Sequence, residues 1–373
     1  MKRVTLYSLT GLFFLLFPLS SAISVLSTRT EMPKLINTGK WFGSDSLHSE
    51  DLKNHVVLVH FWSFADAESL RDIPYLCDWR ARYESMGLKI IGIHSPGYFF
   101  EFFDSNVEAA LGILGLKYPN VNDPEFNLWR SFNVTEKPGL FLIAPDESIR
   151  ERFSGNRDYS VIEKEIQELL KSNGLVPLDE SLDMTKLSYP YNDAARTTIE
   201  LGYKKISSFG NIEKIIASRP QLFKYPETIV DGEFYIDGTW RFEDDRLVSI
   251  TPDAKLKIQY QSNGFNLVAG TRSSTPVGVG VTINGHPLEK KQQGQDVFLK
   301  EGASAISIDR YQLYHIVNEK NSTNDLIELN FKDPGVELFA ISLGMIPAVQ
   351  AAKEENKEEK KTSASAQVTT TIE

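Results

Sequence analysis

The chain has 373 residues, a length that predicts about two domains, and 41% hydrophobic with 24% charged residues supply enough apolar material for folded cores. Fifty acidic against 40 basic residues give a formal charge of -10, which excludes the basic face that a phosphate-backbone binder needs, so no nucleic-acid partner is expected. The single cysteine, Cys77, excludes an internal disulfide, a Cys-x-x-Cys pair and any zinc site built on two thiolates.

Lys2 and Arg3 precede an apolar run from about Leu9 to Leu19, and Ser20-Ser21-Ala22 offers a cleavage point, so residues 1–22 read as a signal peptide. The run is shorter than the roughly 20 apolar residues a membrane helix requires. The mature protein is therefore expected to be periplasmic or secreted, with no membrane span after cleavage.

From 35 to 172 short apolar runs alternate with helical patterns: Val56–Trp62, then a helix over Leu70–Ser85, then Leu88–Ile93. A helix near Asn106–Leu114, a strand at Gly139–Ile143, another short strand and a helix over Val161–Lys171 follow. This rhythm predicts an α/β sheet with parallel members. The unbroken apolar character of Val56–Trp62 predicts a central strand buried on both faces. Residues 173–224 read as a connecting segment that wraps onto its neighbours, with one possible helix at Ile212–Ser218. From 225 to 345, short alternating runs separated by Gly, Asn, Asp and Pro predict an antiparallel jelly roll or sandwich, with a hairpin at Asn284-Gly285, because both positions tolerate positive φ. Residues 346–373, rich in Ala, Lys, Glu, Ser and Thr, bury too little to offset their ordering entropy and are expected to be disordered.

The stretch from Val57 to Leu76, containing His60-Phe61-Trp62-Ser63-Phe64-Ala65-Asp66-Ala67-Glu68-Ser69 and then Pro74, resembles the thioredoxin-like thiol:disulfide proteins of the TlpA and DipZ type. In that family the strand leads into a Cys-x-x-Cys at a helix N-terminus, with a proline five residues after the second cysteine. The two cysteine positions fall on Asp66 and Ser69. The resemblance continues through Ile91-Gly92-Ile93-His94-Ser95-Pro96, Phe100-Glu101, Tyr118-Pro119, Trp129-Arg130 and Lys137-Pro138-Gly139. It implies a thioredoxin-like domain in which Pro138 is the cis-proline. It also implies a groove beside Pro138 that pairs with extended substrate backbone, with Trp62 and Phe64 as further candidate binding residues.

Farther on, Leu201-Gly202-Tyr203, Gly238-Thr239-Trp240, Asn284-Gly285-His286-Pro287, Asp309–Tyr314 and Asp333–Gly344 look like the C-terminal module of DipZ-type proteins, a β-sandwich similar to carbohydrate-binding modules. By residue type Tyr235, Trp240, Tyr260, Tyr311 and Tyr314 are candidate sugar contacts, with Trp240 and Tyr311 foremost.

A helix N-terminus lowers a thiol's pKa and lets the thiolate attack a disulfide. A carboxylate at 66 and a hydroxyl at 69 can neither form nor resolve a mixed disulfide, since exchange needs sulfur at each step. Asp66 is expected to act as a helix N-cap, and Asp66, Glu68 and Asp72 to be surface charges rather than a carboxylate pair with separated pKa values. Cys77 continues the Leu70, Ile73 stripe and is expected to pack as a small hydrophobe. His94 has no second ligand at metal spacing, Gly278 and Gly280 lack the helix a phosphate cradle requires, and the Asn133 and Asn321 sequons are read as chance. The expectation is an exported thioredoxin-like protein without redox activity, cofactor or metal, binding an envelope protein or a glycan. The alternative is a redoxin-type role that uses Cys77 or a partner's thiol.

Overall fold

The computed structural model describes residues 30–172, apart from 37 and 156, and residues 197–347. The expected signal peptide, residues 173–196 of the connecting segment and nearly all of the expected tail lie outside these residues. Among the described residues no helix is long and apolar enough to cross a membrane.

The first sheet is built from β1 (Trp41–Phe42), β2 (Val56–Trp62), β3 (Leu88–His94), β4 (Asn120–Asn122), β5 (Gly139–Ile143) and β6 (Ile149–Ser154), in the order β1-β4-β3-β2-β5-β6. β2, β3 and β4 run parallel, whereas β5 pairs antiparallel with β2, β6 antiparallel with β5 and β1 antiparallel with β4. Every residue of β2 is buried, as its unbroken apolar run predicts. The alternation of a strand sends Val56 and Leu58 to one face, where Leu76, Trp79 and Tyr83 of α1 (Ala67–Tyr83) meet Ile162, Ile166 and Leu170 of α4 (Tyr159–Ser172). Val57, Val59 and Phe61 go to the other face, against Leu128 of α3 (Asn127–Ser131) and Phe132. The remaining helix, α2 (Asp104–Leu114), buries only Val107 and Leu111.

The second unit is all-β: β7 (Thr198–Glu200), β8 (Gln221–Phe223), β9 (Phe234–Phe242), β10 (Leu247–Ser249), β11 (Ala254–Thr271), β12 (Val277–Ile283), β13 (Phe298–Lys300), β14 (Ala303–Ile308), β15 (Gln312–Phe331) and β16 (Val336–Leu343). All named pairings are antiparallel, and β9, β11, β16 and β10 close on one another because the first part of β11 pairs with β9 and the last part with β16. The two runs read at Leu256–Tyr260 and Phe265–Val268 are one strand, as are those read at Tyr311–Val317 and Leu326–Phe331, which β15 joins from Gln312 onward. Register shifts at Ser262/Gly264 and Phe265/Asn266 absorb the turn-like residues as bulges and let the 18- and 20-residue strands bend.

Two expectations need correction. β7 and β8 belong to the second sheet, although 173–224 read as a connector; their three-residue length leaves too little periodicity to detect. No helix forms at Ile212–Ser218, because side chains hold that backbone open: Gln221 accepts from Ile216 N at 2.6 Å, and Asn211 donates to Lys224 O and Ile236 O. The Asn284-Gly285 turn is present, with φ of 52° and 79°.

The two units share a core. Trp62, Phe64, Leu70, Ile73 and Phe100 of the first pack with Val268, Leu313, Phe339, Ala340 and Ile346 of the second.

Candidate functional site

Asp66 ends the loop after β2 in an extended conformation, φ -108° and ψ 115°, and caps α1 by accepting Ser69 N at 2.9 Å. The Ser69 hydroxyl, wholly buried, donates to the same Asp66 Oδ2 at 2.5 Å and accepts Ser63 N at 3.2 Å. The positions where the resemblance puts two thiols therefore hold a closed hydrogen-bonded cap. Burial raises the Asp66 pKa, while its two bonds from Ser69 and the nearby Lys137 ammonium work against that rise. The Lys137–Pro138 bond is cis, and Pro138 is buried.

A second carboxylate stands on the short 3-10 turn Phe99–Phe102. Glu101 is completely buried; Oε1 accepts Ser63 Oγ and Ala65 N and lies 3.3 Å from His94 Nε2, and Oε2 accepts Gly97 N at 2.7 Å and Tyr98 N at 3.0 Å. Burial acts to raise its pKa, but His94, the Lys137 charge and the Ser63 hydroxyl outweigh burial and bring it to about 2. His94 is held in turn by Asn122 at 3.0 Å. It is a structural partner of Glu101, and among the described residues no three His, Cys, Asp or Glu side chains converge on a metal position.

Asp72 is not the surface charge expected from its neighbours; it is 1% exposed, one turn beyond Ser69. Tyr159 donates to Oδ1 at 2.6 Å, and Arg157 Nη1 and His60 Nε2 each lie 3.2 Å from Oδ2. Burial would raise its pKa, but Arg157, His60 and Tyr159 together lower it, whereas burial wins at His60 and lowers that pKa. The ion pair is thus Asp72 with Arg157, beside a neutral imidazole. Arg157 Nη2 also donates to Pro138 O at 2.6 Å, tying α1 to the cis-proline.

The second domain covers this end of α1. Arg71 donates to Met345 O at 2.8 Å and Leu343 O at 3.3 Å. The Phe100 ring lies between Phe64, Tyr311 and Phe339, with centroids 5.0 Å from Tyr311 and 5.1 Å from Phe339. Tyr98 reaches Glu200 of β7 at 3.5 Å. Trp62 and Phe64, expected as binding residues, are buried at 0% and 4% exposure; Trp62 donates to Asn120, and Phe64 stacks on His94. Among the candidate sugar contacts, Tyr235, Trp240, Tyr260 and Tyr314 are core residues at 0–1% exposure, and half-buried Tyr311 donates to Glu337 inside the domain seam. Aromatics that alternate inward along strands fill a core, and residue type alone cannot distinguish that from a sugar platform.

Cys77 is unpaired and packs between the shared core and the α1–α4 core; burial pushes its thiol up to about 11. Sequence reasoning missed the roles of Arg71, Tyr98, Arg157 and Glu200. One signal was available: Tyr98-Phe99-Phe100 and Phe102-Phe103 crowd aromatics into a stretch that should have been a polar loop.

The sheet order, the helix capped at Asp66 and the cis-proline define a thioredoxin-like protein, followed by an all-β domain. That second domain matches the family model described as "Thioredoxin like C-terminal domain" over residues 199–344. Protein DipZ of Mycobacterium tuberculosis (strain CDC 1551 / Oshkosh) is 27% identical over 229 residues, 61% of this chain and 33% of DipZ, so the chain spans about a third of that relative's length. Thiol-disulfide oxidoreductase ResA of Bacillus anthracis is 25% identical over 114 residues, 31% of this chain and 63% of ResA. Among solved structures, a putative thiol:disulfide interchange protein DsbE from Chlorobium tepidum aligns with a TM-score of 0.35 and 19% identity, covering 38% of this chain and 96% of that one. The chain is similar to thioredoxin-like proteins of the TlpA/DipZ type.

Proposed function

We propose that this protein is exported, has given up thiol–disulfide exchange and works by binding a partner protein of the cell envelope. The observation that carries the reading is the closed Asp66–Ser69–Ser63 cap where a thiolate would have to stand. Its support is the state of Cys77, whose thiol, at a pKa of about 11, is almost wholly protonated at neutral pH. Export rests on the leader-like residues 1–22. A protein partner is favoured over a glycan because the aromatics that would stack on sugar are in the core. The docking surface is the rim beside Pro138, where Thr135 and Glu136 are exposed.

The test has two arms. In an insulin-reduction assay the protein should show no turnover, with Cys77→Ala unchanged and the Asp66→Cys, Ser69→Cys double variant gaining activity. Turnover abolished by Cys77→Ala would sink the reading in favour of a redox role. A photo-crosslinker at Glu136 in native envelope should capture one specific protein; labelling no stronger than from an exposed site on β6 would reject the docking surface.

A further inference from the structure

Outside the α1 mouth, one edge of the second sheet carries apolar side chains on its outer face. β8 ends the strand order, and residues 211–218, the segment that does not form a helix, run beside it. Side chains fix the two together: Gln221 accepts Ile216 N at 2.6 Å and donates to Lys214 O at 3.1 Å, and Glu213 accepts Lys224 N at 3.0 Å. Ile215 packs against the core and Phe223 lies wholly within it, so the residues on either side of each turn outward. Ile212, Ile216 and Leu222 are 88%, 50% and 62% exposed. Lys214 and Lys224 are exposed among them, and Arg219 is exposed on the turn that leads into β8. Among the described residues no acidic side chain pairs with Lys214, Arg219 or Lys224; Glu243, which Ser218 reaches at 3.3 Å, is held by Arg241.

We propose that this face docks on an anionic membrane surface, with Ile212, Ile216 and Leu222 in the headgroup boundary and Lys214, Arg219 and Lys224 on the lipid phosphates. Aliphatic side chains gain from entering that boundary, and cations beside them gain from the negative surface potential, so the two kinds of residue on one face act together. An edge guarded only against strand pairing needs charge and no exposed aliphatics. The chain as a whole carries a formal charge of -10, so an anionic surface repels most of its orientations and favours the approach of this cationic edge. The face belongs to the second domain and is independent of the partner-binding reading, whose docking rim is on the first.

The experiment uses the full chain with Cys77→Ala and an environment-sensitive fluorophore on Ile216→Cys, a readout local to this face and separate from any vesicle contact of the leader-like residues 1–22. On phosphatidylglycerol-containing vesicles the emission should shift to the blue, and on pure phosphatidylcholine it should not. A label on Leu222→Cys should report the same, and one on exposed Val161→Cys of α4 should shift on neither. Each lysine at such a surface is worth about fivefold in partitioning, so Lys214→Gln combined with Lys224→Gln should raise the lipid needed for half the shift about 25-fold. Salt at about 0.5 M should weaken the response in the same direction. An equal shift on neutral vesicles, an equal shift at Val161, a titration unmoved by the lysine substitutions, or no shift at all would overturn the proposal. The last result, together with a dimer in solution that Leu222→Glu splits, would assign the face to a second copy of this chain.

Discussion

Asp66 and Glu101 lie near the same helix end, yet their surroundings push them in opposite directions. Glu101, near 2 in the fold against 4.5 unfolded, contributes stability in full above about pH 4.5 and loses it as pH falls toward 2. That displacement corresponds to about 3 kcal/mol, so Glu101→Gln should lower stability by about that amount at pH 7 and by little at pH 2.5, measured by urea unfolding at both pH values. Asp66 is raised, so its contribution is present below its unfolded value of 3.8 and is lost as pH rises through the folded one. Asn caps helices as well as Asp does without the buried charge. Asp66→Asn should therefore be as stable as the parent at pH 3 and more stable at pH 8; lower stability at pH 8 would refute the assigned cause.

At the scale of elements, the 3-10 turn Phe99–Phe102 joins the two sheets' cores. Phe100 is wholly buried among rings from both domains, so Phe100→Ala should cost about 3–5 kcal/mol in thermal or urea unfolding. Its role was half legible. Phe100-Glu101 belongs to the family resemblance, but only the fold shows that the ring meets Tyr311 and Phe339, more than 200 residues away in sequence. The strands β2, β3 and β5 were legible for a simple reason: runs buried on both faces need no knowledge of what covers them. β7 and β8 were not, because three residues carry no period and their pairing with β16 and β9 is set entirely by distant partners.

For the whole molecule, a shared apolar core predicts one cooperative unfolding transition rather than two, with coincident midpoints by fluorescence and circular dichroism. Arg71 is a polar tie across that seam, alongside the Tyr98–Glu200 contact. Arg71→Ala leaves the carbonyls of Leu343 and Met345 without its guanidinium and should cost about 1–3 kcal/mol. It should also speed proteolysis within residues 343–347 several-fold, measured against the parent at equal protease; unchanged cleavage there would show that apolar packing alone closes the seam. The same cover limits reach into the α1 mouth, so the proposed docking rim is the exposed edge at Thr135 and Glu136 beside Pro138.

The identity of residues at 66, 69 and 77 is sufficient to decide where sulfur can stand, because covalent chemistry depends on atom type before it depends on position. Helix capping at Asp66 and the inward stripe through Cys77 were likewise legible, since both arise from contacts within a turn or two of chain. What Asp72, Trp62, Phe64 and Trp240 do was decided only by the tertiary structure. A carboxylate becomes a buried ion-pair partner, and an aromatic becomes core instead of surface, only when remote segments close over it and exclude water.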